Sequence, residues 1–229
     1  MHPWDELPKE GLAPAHCYAA QRDWPGYFAA VAGKPARETL LSALERFERE
    51  GQGGEAAEET SLAVDLGCGE GRDTAELLRR GWRVVAIDGH PFALELVRAR
   101  RDLAAGARLE LRLEAFEAVR VPRARLVNAS FSLPFCRPEA FGRLWEEIAG
   151  AVEPGGRFAG QFFGERDGWA GLADRSHHRR EEVLWLLREF EVEELKEEER
   201  DGKDAQENPK HWHVFHVVAK RLGDGTGDG

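Results

Sequence analysis

Apolar positions along the chain alternate between two periods. From Pro35 to about Glu50, Leu40, Leu41, Leu44 and Phe47 recur at spacings of three and four, which predicts an amphipathic helix. SLAVDL (61–66) is then a short unbroken apolar run, the pattern of a strand covered on both faces. Asp73 or Thr74 is placed to cap a helix holding Ala75, Leu77 and Leu78, and Gly81 falls where that helix stops. RVVAI (83–87) predicts a second strand ending at Asp88, and Pro91 opens a helix through Leu103. Arg108–Leu113 and Arg125–Ala129 predict two more strands, and Pro138–Val152 a helix. EPGG (153–156) has turn chemistry, Arg157–Phe163 predicts a fifth strand, and Arg179–Phe190 a last helix. HWHVFHVVAKR (211–221) predicts a closing strand. The acidic run Glu191–Arg200 fits either a charged strand or a helix extension.

Strands alternating with helices imply parallel βαβ units, hence an α/β chain with a doubly wound sheet. The last two strands have no helix between them, so they should form an antiparallel C-terminal hairpin. Residues 1–34, rich in Pro, Trp and Gly, read as an irregular N-terminal segment. Residues 35–221 read as one domain, GQGGEAAEE (51–59) as a flexible loop within it, and 222–229 as a disordered tail.

Composition narrows the classes. With 229 residues, 42% of them hydrophobic, the chain can bury a real core. Its net charge of −10 repels a nucleic-acid backbone unless a basic patch exists. HHRR (177–180) and RARR (98–101) are short and have acidic neighbours. No apolar stretch approaches the roughly 20 residues that span a bilayer, and MHPWDELPKEG lacks an apolar signal core. Cys17, Cys68 and Cys136 are odd in number and form no CxxC pair. A reduced, cytoplasmic protein without structural disulfides is expected. No assembly motif is evident, which favours a monomer.

The chemistry concentrates in DLGCGEGRD, from Asp65. Gly67, Gly69 and Gly71 occupy alternate positions between the first strand and its helix. Ligands of open α/β sheets bind at the carboxyl ends of strands, and glycines there permit close approach. Asp88 ends the second strand, 19 residues after Gly69, where a carboxylate accepts hydrogen bonds from ribose hydroxyls. The pair points to an adenosine-type ligand. The spacing is G-x-G-x-G, with Arg72 where the dinucleotide pattern needs its third glycine.

With VDLGCGEG (64–71), VVAID (84–88) and VEPGGRF (152–158) in order, the chain resembles the class I S-adenosylmethionine-dependent methyltransferases, and the stretch to Asp88 resembles their small-molecule members, including the tellurite-resistance type. The resemblance implies a seven-stranded, mostly parallel sheet, S-adenosylmethionine as cofactor and a small-molecule methyl acceptor with an N, O, S or heavier chalcogen nucleophile. It places Asp65 near the methionine amino group and Gly67, Gly69 and Gly71 under ribose and methionine. Cys68 is then a small filler beside the cofactor. Arg72 and Asp73 touch either the ligand or the helix N-terminus. Asp88 holds the ribose, with Gly89 and His90 following it near the adenine. Phe116 occupies the adenine edge, with Glu114, Ala115 and Glu117 nearby, and Ser130 and Phe131 line the methyl and acceptor cavity. No catalytic residue follows from these motifs. A non-catalytic cofactor-binding protein and an NAD-dependent oxidoreductase stand as alternatives.

Three further features remain open. Asn128-Ala-Ser-Phe131 has the outer residues of the amino-methylating Asn-Pro-Pro-aromatic motif without its prolines. Trp4, Tyr18, Trp24, Tyr27 and Phe28 either form a lid or pack on the sheet edge. His211 and His213 share a strand face, as metal ligands or as packed histidines. The run Glu189–Glu199 reads as a solvated edge that blocks sheet-to-sheet pairing.

Overall fold

The structure, a computed structural model, describes residues 23–51, 61–103 and 108–223. The loop expected at 51–59 from residue 52 on, the tail expected at 222–229 from residue 224 on, and Trp4, Cys17 and Tyr18 lie outside the described residues. Helices α1 (Trp24–Val31) and α2 (Glu38–Arg49) precede strand β1 (Leu62–Leu66). Helix α3 (Arg72–Arg79), β2 (Arg83–Asp88), α4 (Pro91–Ala99), β3 (Leu109–Leu113) and β4 (Ala124–Ala129) follow. The chain then runs through α5 (Pro138–Ala151), β5 (Val152–Gly164), β6 (His177–His178), α6 (Arg180–Leu186), β7 (Phe190–Lys203) and β8 (Pro209–Arg221).

The principal strands lie in the order β3-β2-β1-β4-β5-β8-β7. The first five are parallel, and β8 runs antiparallel between β5 and β7. This is the class I methyltransferase architecture with its C-terminal hairpin. The unbroken apolar strands explain it, because side chains of both parities are buried. Ala63, Val84, Ala86 and Leu126 pack against α2, α3 and α4 on one face. Val64, Leu66, Val85 and Val127 pack against α5 and α6 on the other.

The structure departs from the expected pattern at several places. Residues 24–31 are helical, not irregular. Asp23 accepts from the backbone of Gly26 at 2.8 Å, and Pro25 occupies the first turn, where its missing N–H costs nothing. Helix α3 begins at Arg72 with Gly71 in the left-handed cap position, so neither Asp73 nor Thr74 caps it. Helix α4 ends at Ala99, short of Leu103. The EPGG turn is absorbed into β5 as a bulge, with Gly155 at φ 75° and the six residues Val152–Arg157 of β5 set against the three residues Ala124–Leu126 of β4. The two residues of β6 add an unexpected parallel contact at the end of β5.

The ambiguous acidic run is strand β7, at the sheet edge. Its carboxylates are largely paired rather than merely solvated. A bulge between Val192 and Glu194 leaves Glu193 outside the ladder. Glu193 reaches the fully buried guanidinium of Arg157, on β5, at 2.7 Å. Glu50, just past α2, closes on the same guanidinium at 2.6 Å, and the ring of Phe47 lies 4.5 Å beneath it. The Arg157 hydrogen bond holds the Glu50 carboxyl down to about 2. One cation therefore joins α2, the central sheet and the edge hairpin.

Among the described residues, removing it would leave Glu50 only Lys220, at 2.8 Å, and Glu193 only Arg46, at 3.9 Å, and would take away the buried centre that both carboxylates share. Arg157→Ala is predicted to lose about 3–5 kcal/mol of stability in urea denaturation. A loss under about 1 kcal/mol, the range of an exposed pair, would contradict this role.

Candidate functional site

The direction of strand addition reverses between β1 and β4, which opens a crevice at their carboxyl ends. Asp65 of β1 lies in register with Asn128 of β4. The Asn128 amide donates to Asp65 at 2.9 Å and to Asp73 at 3.1 Å, and its carbonyl accepts from the Ser130 hydroxyl at 3.0 Å. Thr74 donates to the other Asp65 oxygen at 2.6 Å, and the Arg37 backbone N–H donates to Asp73 at 2.9 Å. Burial, with the Asp73 charge second, pushes the Asp65 carboxyl up to about 7. The Asn128 amide is thus spent inside the protein. Its carbonyl oxygen, the atom that would accept from a target amine, is already engaged by Ser130.

The glycine loop wraps the same crevice. Gly67 and Cys68 N–H groups both donate to the Ile87 carbonyl, at 2.8 and 3.0 Å. All three glycines have left-handed φ, 76°, 55° and 80° in order. A Cβ on Gly67 would fall 2.3 Å from Ser132 Cβ, and one on Gly71 would fall 2.9 Å from Val97. Packing within the protein therefore accounts for Gly71, which does not reach the crevice wall, and constrains Gly67 independently of any ligand. Gly67, Cys68 and Gly69 do line the crevice. Burial pushes the Cys68 thiol well above its ordinary range, so it is a filler and not a nucleophile.

Asp88 accepts the backbone N–H of Gly69 at 2.9 Å and of His90 at 2.8 Å. These bonds orient its carboxyl at the crevice, and burial pushes it up to about 6. His90 caps α4 by accepting from the Phe92 backbone at 3.2 Å, and its ring meets Phe28 edge-on at 6.1 Å. Gly89, Phe116, Ser130 and Arg72 complete the expected residues that line the crevice. The aromatic side chains of α1, Trp24, Tyr27 and Phe28, line it from the opposite side.

Three lining side chains carry buried polar atoms without a partner among the described residues. They are Nε and Nη1 of Arg72, Oε1 of Glu70 and Oε2 of Glu117. Glu70 and Arg37 were not singled out from the motif, because Glu70 occupies an x position and Arg37 lies a whole strand upstream. At the crevice floor Phe131 has φ 51°, a left-handed conformation rare for an aromatic residue. Its N–H donates to Gln161 at 2.7 Å, and the Arg37 guanidinium lies 4.4 Å over its ring.

The candidate histidines are engaged elsewhere. His211 pairs with Asp201 at 2.7 Å, and the buried His213 pairs with Glu197 at 3.0 Å. Among the described residues no group of three His, Cys, Asp or Glu side chains could hold a metal ion.

Comparison with known proteins agrees with this geometry. Residues 63–156 match the family described as methyltransferase domain. Carboxy-S-adenosyl-L-methionine synthase from Erwinia tasmaniensis is 36% identical over 107 residues, 43% of this chain and 42% of that protein. The match thus spans under half the length of that curated relative. The magnesium protoporphyrin IX methyltransferase of Synechocystis, solved with S-adenosylmethionine, superposes with a TM-score of 0.66 at 13% identity, over 93% of this chain and all of that one. The 1,6-didemethyltoxoflavin-N1-methyltransferase of Burkholderia thailandensis gives 0.60 at 21% identity, over 94% of both chains. TehB from Haemophilus influenzae gives 0.61 at 15%, over 78% of this chain and 67% of that one. At these identities the structural likeness is one of fold.

The raised acids carry a stability consequence. An ordinary aspartate in the unfolded chain loses its proton near pH ~4, whereas folded Asp65 and Asp88 keep theirs to about 7 and about 6. Their contribution to stability is therefore largest at low pH and falls as pH rises through that window. Glu50 has the opposite sign, its contribution being lost only as pH falls toward about 2. Asp65→Asn is predicted to gain stability relative to the parent between about pH 5 and pH 8, read by denaturant melts of the unliganded proteins. An equal difference at both pH values would contradict the buried-charge assignment.

Proposed function

We propose that this chain is an S-adenosylmethionine-dependent methyltransferase acting on a small-molecule acceptor. The observation that carries the reading is the set of unpartnered and pre-oriented polar groups around the switch-point crevice. They match, in type and order, the polar ends of that cofactor. Asp65 and Glu70 face an ammonium, and the free nitrogens of Arg72 face a carboxylate. Asp88, fixed by two backbone donors, keeps acceptor capacity for two ribose hydroxyls. Glu117 Oε2 would accept from the adenine amino group, beside Phe116 and His90. When bound, the cofactor supplies an electrophilic methyl group on a sulfonium centre.

The chain's own contribution is alignment and exclusion of water. Trp24, Tyr27 and Phe28 cover the crevice as a lid, with aromatic faces suited to a sulfonium. Beyond Phe131 the crevice adjoins a second cavity of about 610 Å³, which gives an acceptor a place and favours turnover over cofactor binding alone. Trp24, Tyr27, Arg37, Phe131 and Phe135 border both spaces. None is a base at neutral pH, since burial pushes the Tyr27 phenol upward. On that passage the acceptor meets no base, so this reading favours one that brings its own lone pair, as an oxyanion, thiolate or neutral amine. Arg72 in place of a third glycine disfavours a dinucleotide. In this reading the protein works as a cytoplasmic monomer on a small molecule and does not engage nucleic acid.

Two measurements test it. S-adenosylhomocysteine is predicted to raise the melting temperature of the parent and not that of Asp88→Ala, which lacks the ribose acceptor, with both proteins melting cooperatively in its absence. S-adenosylmethionine binding near pH 7 is predicted to release protons, because its ammonium favours the ionised form of Asp65, whose carboxyl titrates at about 7. Calorimetry in buffers of different ionisation heat reads that release. Undiminished binding by Asp88→Ala, or proton uptake on binding, would contradict the assignment.

A further inference from the structure

We infer that Phe131 is a partition that limits the group carried on the cofactor's sulfur to one small carbon unit, and that Gln161 is the residue that positions it. The inference rests on the methyltransferase reading and concerns the selectivity of that same site. Among the described residues, the non-glycine residues with a left-handed backbone are Phe131 and Glu207. Glu207 lies in the turn between β7 and β8, where tight turns use such a conformation. Phe131 lies at the exit of β4, on the border between the cofactor crevice and the second cavity. A glycine would adopt φ 51° there without strain. The chain instead holds an aromatic ring at that point, against its backbone preference.

A buried amide holds it there. The β4–β5 ladder ends at the pair Ala129–Gly160, and the Phe131 N–H donates to the Gln161 side-chain carbonyl at 2.7 Å. The other end of that amide donates to the Thr39 hydroxyl of α2 at 2.9 Å. Gln161 and Thr39 are both buried, so the amide is fixed at each end and cannot turn. The ring is fixed as well. Gln161 stands in register with His216 of β8, whose ring meets Phe131 edge-on at 5.9 Å. Trp212 meets it edge-on at 6.4 Å, and the Arg37 guanidinium covers it at 4.4 Å. Phe131 is half-buried and belongs to neither hydrophobic core cluster, so its ring is a wall rather than a core filler. An acceptor entering through the second cavity meets the cofactor's methyl group across this border. A larger substituent on the sulfur would extend into the same border, and a ring clamped in this way cannot step aside for it.

The test is calorimetric titration of the full chain with S-adenosylhomocysteine and two stable analogues of S-adenosylmethionine. In both analogues a tertiary amine replaces the sulfonium; one carries an N-methyl group and the other an N-benzyl group. The parent is predicted to bind the N-methyl analogue about a hundredfold tighter than the N-benzyl one. Phe131→Gly keeps the left-handed backbone and removes the ring, and is predicted to reduce that ratio to about tenfold or less. Gln161→Met has a similar volume but no carbonyl, and is predicted to shift the ratio in the same direction. Gln161→Glu keeps an acceptor oxygen and is predicted to retain the parent's ratio. Each ratio is taken within one protein, so a general loss of stability does not move it. Equal binding of the two analogues by the parent, or an unchanged ratio in Phe131→Gly, would overturn this inference and leave the methyltransferase reading standing. A ratio unchanged in Gln161→Met would overturn the role given to Gln161; should that variant not fold, Thr39→Val, which frees the other end of the amide, takes its place. Failure of S-adenosylhomocysteine to bind the folded parent would overturn the methyltransferase reading, and this inference with it.

Discussion

The structure turns on a carboxylate placed where a protein ordinarily avoids one. Asp65 lies near the end of the central strand, is 2% exposed, and has no positive group bonded to it among the described residues. Neutral donors, Thr74 and Asn128, hold it, and Asn128 ties it to a second buried carboxylate, Asp73. Hydrogen bonds of this kind satisfy oxygen lone pairs but do not neutralise charge. Folding keeps the pair in place because β1 and β4 are locked in register by their neighbours. A ligand that brings a cation to Asp65 recovers the electrostatic cost of burying it. Affinity at this site is therefore stored in the fold before the ligand arrives.

The surrounding elements serve that arrangement. The loop after β1 uses left-handed glycines to turn sharply under Ser132 and against Val97, which brings its N–H groups onto the end of β2. That same turn puts Gly69 against Asp88 and orients the second carboxylate. Far from the crevice, Arg157 fastens α2 and the edge strand to the sheet through Glu50 and Glu193. Helix α2 is the element whose first residues carry Arg37 into the passage and onto Asp73. A buried ion pair at one end of the helix thus steadies the site at the other.

Much of this was legible in the sequence, and for identifiable reasons. Strands buried on both faces appear as continuous apolar runs, and Asp65 and Asp88 stand at their ends. The departures arise where one residue type serves two structures. The Pro-, Trp- and Gly-rich N-terminal segment reads as irregular, yet Asp-Trp-Pro-Gly within it is the capped first turn of α1. The glycines of EPGG form a bulge within a strand, and the glutamates of β7 read as solvated although Glu193 is drawn inward by a bulge. The second cavity left no periodic trace. Phe135, Phe163, Trp169 and Trp212 come from four separate segments that meet only when β8 inserts beside β5. Asn128 was visible, but its role depends on a cross-strand register that one segment cannot reveal.

The central claim is that the crevice recognises the polar ends of S-adenosylmethionine and not those of a dinucleotide. Calorimetric titration of the purified chain with S-adenosylhomocysteine and, separately, NAD tests it most directly. The account predicts saturable binding of one S-adenosylhomocysteine per chain and no heat from NAD. Binding of NAD, or silence toward both by a folded protein, would contradict it.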